Sequence, residues 1–136
     1  MELNQFISKS HISEKLIRAV VRQSGGWDNF TEMAEDITNH GVGGGFHGWI
    51  YYTDTVAFTT RNKAVIMAMA QELANGLGED VLVMIGGFNC LKESSNTVAE
   101  ALYNPRSENK TQVFNALAWF AAEEVARSYV DTKEGE

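Results

Sequence analysis

Residues 109–131 read NKTQVFNALAWFAAEEVARSYVD, and this stretch decides how the rest of the chain packs. Asn109 can cap the start of a helix, with Gln112 at the third helical position in a box-like pairing. Large apolar side chains then occupy more than one face of that helix: Val113, Phe114, Leu117, Trp119, Phe120, Val125 and Tyr129. A helix that is apolar nearly all round is normally buried, so the sequence predicts that this helix lies at the centre of the core.

The same helix carries two adjacent carboxylates and an arginine. Glu123 and Arg127 are four residues apart, so we expect them to pair in water with a contribution of about 0.3 kcal/mol. Glu124 falls on an apolar stripe, and a partly buried carboxylate needs a cation such as Arg61 or Arg106. Neighbouring helical residues point about 100° apart, so the two carboxylates do not indicate a catalytic pair.

Apolar residues at helical spacing predict further helices. These cover Ser13–Ser24, Asp28–Asn39, Thr60–Asn75 and about Asn96–Tyr103. Gly25 and Gly26 end the first of them, because glycine accepts the left-handed conformation at a helix C-terminus. The short apolar segment Asp80–Ile85 fits either a short helix or a buried strand.

A small β element is predicted between the second and third of these helices. Phe46–Tyr52 is aromatic and β-branched, which is typical of a strand. Thr53–Asp54 then fits a hairpin turn and Thr55–Phe58 a second strand; the alternative is a helix that starts at Asp54. A lone hairpin is marginal in water, so it must lie on helices or pair with another copy of the chain, and a homodimer is one predicted arrangement.

The predicted architecture is therefore α+β, with five or six helices packed around a small β-hairpin. The chain has 136 residues, and a chain of this size buries about two-thirds of its unfolded surface. That supports one ordinary core, so we expect a single globular domain over residues 1–136, with 1–11 and 132–136 as loose ends.

Charge and cysteine content limit the class of function. The net charge is −7, which argues against direct nucleic-acid binding, because such binding needs cationic contacts to phosphate. The single cysteine, Cys90, suits a reducing cytosol. No apolar stretch approaches the ~20 residues of a membrane span, and residues 1–11 do not resemble a signal peptide. The expected location is the cytoplasm of a host cell, with no membrane partner.

Negative charge and aromatic residues each form a candidate partner-binding surface. The carboxylates of Asp28, Glu32, Glu35 and Asp36 form an uncompensated block on one helix. Such a block is either a solvated face or a surface for a basic protein. Trp49 and Tyr51 share one face of the predicted strand, where they form either an interaction patch or part of the core.

Candidate catalytic and ligand-binding residues are few. His47 and Asp54 could line a pocket beside the glycine-rich residues 41–45. The separation of His40 and His47 is not a recognised metal-ligand spacing, and no Gly-Lys-Ser/Thr follows the glycines, so neither a metal nor a phosphate cradle is predicted. Cys90 has no histidine near it in the sequence to act as a base. We therefore predict no cofactor and no enzymatic activity.

Three blocks of the sequence resemble a group of small uncharacterised phage and prophage proteins: Gly45–Phe58, Gly86–Cys90 and Asn115–Arg127. A fainter resemblance is to KlcA-type antirestriction proteins, which also place a Gly-Gly-aromatic run before an aromatic strand, here Gly44-Gly45-Phe46 and then Trp49–Tyr52. Both resemblances imply an accessory gene that acts against host defence, such as restriction or CRISPR systems. Neither assigns catalytic residues.

Two hypotheses follow. The first is a non-enzymatic phage or mobile-element counter-defence protein of anti-CRISPR or antirestriction type. It would bind and inhibit a basic, nucleic-acid-handling host protein through its acidic and aromatic surface. The alternative is a small-ligand-binding protein or small enzyme, with a pocket near His47, Asp54 and the glycine-rich residues.

Overall fold

The computed structural model describes residues 1–40, 55–87, 95–104 and 106–135. Every regular element in these four ranges is an α-helix. In chain order the helices are α1 (Leu3–Lys9), α2 (Glu14–Gln23), α3 (Trp27–His40), α4 (Thr55–Leu77), α5 (Val81–Gly87), α6 (Ser95–Tyr103) and α7 (Lys110–Glu134).

The predicted α+β fold is wrong, because the described residues contain no strand. The predicted second strand, Thr55–Phe58, forms the first turn of α4 instead. Thr55, Phe58 and Thr59 are buried, and their i, i+3, i+4 spacing is the period of a helix rather than of a strand. The alternative of a helix from Asp54 is close to the structure. The predicted first strand, Phe46–Tyr52, and the turn lie outside the described residues.

The described residues fall into two compact units. We call residues 1–40 and 121–135 the terminal unit, and the described residues between 55 and 120 the central unit. Helix α7 contributes its first part to the central unit and its second part to the terminal unit. Residues 116–122 of this helix are all buried, which covers every direction around its axis. This confirms the prediction of a helix that is buried nearly all round.

Side-chain hydroxyls of α4 bind α7 inside the central unit. The Thr59 hydroxyl donates to the carbonyl oxygen of Phe114 over 2.9 Å, and the Thr55 hydroxyl donates to the side-chain oxygen of Asn115. A buried hydroxyl needs such a partner, so these contacts fix the rotation of α4 about its axis. They help to explain why a segment rich in β-formers is helical, because the helix brings both hydroxyls to partners on α7.

Four aromatic rings contact one another in the terminal unit: Phe6, Trp27, Phe30 and Tyr129. The Tyr129 ring stands edge-on to those of Phe6 and Trp27, with centroid distances of 5.6 Å and 5.3 Å. This edge-to-face geometry is the favoured one for aromatic pairs. The cluster brings α1, α3 and the end of α7 together.

Helical residues lie in both end segments, 1–11 and 132–136. Residues 1–11, expected to be a loose end, contain α1, and its Phe6 is fully buried. The side chain of Gln5 accepts a 2.8 Å hydrogen bond from the backbone of Glu2, which closes the start of α1. At the other end α7 continues to Glu134. A seven-residue helix with a single buried aromatic residue has no apolar periodicity, so the sequence could not predict α1.

The ambiguous segment at Asp80 is helix α5. The Asp80 side chain accepts hydrogen bonds from the backbone N–H groups of Leu82 and Val83, at 2.9 Å and 3.2 Å. This is the contact of a helix N-cap, which satisfies donors that have no partner within the helix. Over the described residues, no helix has both the length and the apolarity to cross a membrane.

Candidate functional site

The four carboxylates predicted to form one surface do so. Asp28, Glu32, Glu35 and Asp36 are all exposed on α3, and we call them the acidic face. At about 100° per residue they occupy a sector of about 100° around the helix. The other side of α3 carries Phe30 and Ala34, both fully buried. The burial of that side fixes the acidic face toward solvent.

A tight glycine turn sets the start of α3. Gly25 and Gly26 follow α2 with φ of 93° and 118°, in the left-handed region that favours glycine. The N–H of Gly26 donates to the carbonyl of Val21, and the N–H of Gly25 donates to that of Arg22. These two bonds are a Schellman motif, which ends α2 and satisfies its last carbonyls. The chain can then reverse into α3 after a single turn.

One cation of the chain itself contacts the acidic face. Lys133, near the end of α7, forms an ion pair with Glu35. The Glu35 carboxylate accepts a hydrogen bond from the Lys133 ammonium and thereby raises the pKa of that lysine. Asp28, Glu32 and Asp36 form no ion pair with any described residue. Beside the Glu35–Lys133 pair lies a small cleft of about 170 Å³, also lined by Asn39, Val130 and Glu134.

The carboxylates of Glu123 and Glu124 on α7 both form ion pairs within that helix. The Arg127 guanidinium donates to Glu123 at 2.6 Å, which confirms the predicted pair, and to Glu124 at 3.1 Å. The expectation that Arg61 or Arg106 would pair with Glu124 is corrected by this contact with Arg127 on the same helix. Burial raises the pKa of Glu124, and the nearby Arg127 charge opposes that rise only in part.

Other predicted site residues lie outside the described residues. They are Trp49 and Tyr51 of the aromatic patch, and His47 and Asp54 of the ligand pocket, together with the glycines of 41–45 and Cys90. The aromatic patch and the ligand pocket therefore stay predictions. In the ranges that the structure does describe, no three His, Cys, Asp or Glu side chains are grouped so as to hold a metal ion.

Sequence reasoning missed a second surface feature, in the central unit. A cleft of about 270 Å³ opens between α4, the end of α6 and the start of α7. We call it the cationic cleft; it is lined by Thr60, Lys63, Ala101, Leu102, Tyr103, Asn104, Lys110 and Phe114. The two lysines come from different helices, so no sequence motif joins them and no local pattern could have revealed them.

Comparison with known families places the chain in one of them. Residues 9–135 match the domain of unknown function DUF7222, and the protein belongs to that family. No curated protein and no solved structure shows significant similarity to the chain. The family match provides no link to phage proteins or to KlcA-type proteins.

Proposed function

We propose that this protein is a non-enzymatic binding protein that docks a basic protein partner on the acidic face of α3. The observation that carries the proposal is the exposure of Asp28, Glu32 and Asp36 on one sector of α3 without a cation from the described residues. Each of these side chains is held in water by the buried residues on the other side of α3. The charges are therefore displayed together on a fixed scaffold.

The arrangement costs the isolated protein some stability. Asp28 and Glu32 are four residues apart, as are Glu32 and Asp36, and like charges at this spacing destabilise a helix by about 0.2–0.5 kcal/mol per pair. A partner that brings lysines or arginines to the face removes this repulsion. The same clustered field speeds association, because complementary charge steers two proteins into contact.

The partner class that fits this surface best is a nucleic-acid-handling host protein. Such a protein has a cationic groove that binds the phosphates of a nucleic acid. A row of carboxylates along one helix resembles that phosphate backbone in its negative charge and its extended shape. Inhibition would then follow from occupation of the groove. The resemblance to phage and antirestriction proteins supports assigning this role to counter-defence.

Two charge-reversal variants with the same net charge test the proposal. Glu32→Lys/Asp36→Lys reverses the acidic face without breaking the Glu35–Lys133 pair. Glu72→Lys/Glu79→Lys changes the net charge equally at exposed positions of the central unit. Tagged full-length protein in each form is used to capture proteins from a natural host, and captured proteins are identified by mass spectrometry.

We expect a basic protein to be captured by the wild type and by the Glu72/Glu79 variant, and lost with the acidic-face variant. Purified partner should then bind with the same ranking. Equal capture by all three forms would refute docking on the acidic face. Turnover of a small substrate by the purified protein would refute the non-enzymatic assignment.

A further inference from the structure

The cationic cleft carries positive charge, whereas the whole molecule carries a net negative charge. The chain has 18 acidic and 11 basic side chains, yet among the described residues this cleft is lined by two lysines and by no carboxylate. Lys63 and Lys110 are both half-buried there, and neither forms an ion pair with a described residue. Two positive charges that share one concave surface add their fields there, so the cleft attracts an anion.

Lys63 is held in place by the end of α6. Its ammonium donates a 2.7 Å hydrogen bond to the carbonyl oxygen of Leu102, one of the carbonyls that the end of a helix leaves without a partner. The ammonium also lies 5.4 Å from the centre of the Tyr103 ring. A lysine has three N–H donors, so two remain after the bond to Leu102. The contact positions the charge without using up its donors.

Lys110 brings a second positive charge to the same cleft. It is the first residue of α7, and its ammonium lies 5.3 Å from the centre of the Phe114 ring. The first turn of α7 contains no acidic residue, although the positive end of the helix dipole favours an anion there. A lysine at this end of a helix is unfavourable by the same argument. A bound anion would relieve both effects.

The cleft also offers an apolar surface. Tyr103 is 71% exposed, which is unusual for a large aromatic residue, and its ring forms one wall. The volume of about 270 Å³ lies just below the ~300 Å³ at which ordinary ligand pockets begin. A small molecule with one flat apolar part and one compact anionic group fits this size and lining.

We propose that the cationic cleft is a binding site for a small aromatic molecule that carries a carboxylate or a phosphate group. The anionic group accepts hydrogen bonds from the ammonium groups of Lys63 and Lys110, and the ring lies against Tyr103. The site belongs to the central unit and is argued from residues that take no part in the acidic face. A failure of the proposed docking function would therefore not affect this site, and a failure of this site would not affect the docking function.

Three small probes separate the parts of this proposal. Phenyl phosphate and benzoate each carry one of the two candidate anionic groups on a phenyl ring. Benzamide is the neutral counterpart of benzoate. Each is titrated into full-length protein and followed by the backbone amide signals of Leu102, Tyr103 and Lys110. We expect saturable shifts with at least one anionic probe and none with benzamide. Whichever anion binds more tightly identifies the anionic group.

Variants locate the binding. Lys110→Gln leaves the Lys63–Leu102 contact intact, so it tests the charge without disturbing the end of α6. We expect it to weaken binding of the anionic probe about tenfold, as for loss of a charge-assisted hydrogen bond. Tyr103→Ser removes the exposed ring and should weaken binding of phenyl phosphate but not that of inorganic phosphate. Lys15→Gln, an exposed position on α2, is the charge-matched control and should bind like the wild type.

Three results would overturn the proposal. Absence of saturable binding by both anionic probes removes the ligand class. Benzamide binding as tight as benzoate binding shows that the anion is not recognised. Unchanged affinity in Lys110→Gln, with shifts that do not centre on the cleft, shows that the probe binds elsewhere.

Discussion

Lys133 forms an ion pair with Glu35, so the end of α7 neutralises one of the four carboxylates of the acidic face on α3. The two residues belong to helices far apart in the sequence but to the same compact unit. Both side chains are about half exposed, so water screens the pair and its contribution to stability is small. Its larger effect is on binding, because Lys133 occupies a place that a partner's cation would otherwise take.

Removal of this lysine should strengthen binding of a basic partner. Lys133→Gln leaves all four carboxylates of the acidic face without a cation from the described residues. We expect faster association with the captured partner and little change in thermal midpoint, measured by surface plasmon resonance and by calorimetry. Lys15→Gln gives the same net charge on α2 and should change association less. A slower association in Lys133→Gln than in Lys15→Gln would show that Lys133 contacts the partner itself.

Association through the acidic face should depend strongly on salt. The screening length falls from about 8 Å at 0.15 M to about 3 Å at 1 M ionic strength, so long-range steering is lost over this range. We expect the association rate to fall while the dissociation rate changes less, and free DNA should not bind at physiological salt. An association rate that does not respond to salt would mean that the partner is not recognised by charge.

The buried part of α7 should dominate stability. Leu117 is fully buried, and Leu117→Ala should lower the free energy of unfolding by about 2–5 kcal/mol. Leu77, at the end of α4, is 61% exposed and provides the matched substitution. Leu77→Ala should change stability by no more than about 0.5 kcal/mol. Chemical denaturation of both variants measures the difference; similar losses would contradict a core centred on α7.

Two glycine substitutions should change the free energy of unfolding in opposite directions. Gly25→Ala places a side chain at φ of 93°, with its Cβ 2.7 Å from the side-chain Nδ2 of Asn29, and should cost more than about 1 kcal/mol. Gly76 lies within α4 with open space where its Cβ would stand. Gly76→Ala should stabilise the protein by about 0.4–1 kcal/mol, because it reduces the freedom of the unfolded chain. Equal effects in denaturation experiments would contradict the left-handed turn before α3.

Glu124 should make the stability of the protein depend on pH, at pH values just above the ordinary pKa of a glutamate. Burial raises the pKa of this carboxyl above the ordinary value of 4.5, so the folded state binds its proton more tightly than the unfolded state does. Stability from this group is therefore present at low pH and is lost as pH rises through the raised pKa.

Glu124→Gln should remove that loss, so the variant gains stability relative to the wild type as pH rises above about 4.5. Glu123→Gln removes the same charge beside Arg127 but keeps the buried Glu124 carboxyl. Burial is the largest cause of the raised pKa and the Glu123 charge a smaller one, so this variant should keep the loss of stability in a weaker form. Thermal midpoints measured across the acidic pH range would compare them. Parallel profiles for the wild type and Glu124→Gln would contradict the effect of burial.

Apolar periodicity was enough to locate most of the helices. The predicted segments Ser13–Ser24 and Asp28–Asn39 agree with α2 and α3 to within one residue at each end. Periodicity failed where the segment was short, as at α1 and α5, because seven residues span only two turns. It also failed at Thr55–Phe58, where β-branched and aromatic residues predicted a strand.

Tertiary contacts decide the cases in which local preference fails. The hydroxyls of Thr55 and Thr59 reach helix α7, and no local pattern shows that partner. The candidate sites follow the same rule. The exposure of the acidic face could be predicted because it depends on one helix with one buried side. The Glu35–Lys133 pair and the cationic cleft could not, because each joins residues from different helices.

The division of α7 between the two units affects the order in which the protein can fold on the ribosome. The central unit is continuous, so all of its helices have been synthesised once residue 120 is added. The terminal unit is interrupted, and Phe6, Trp27 and Phe30 meet Tyr129 only after the whole central unit has been made. The three rings therefore pass most of synthesis without the side chain that completes their cluster.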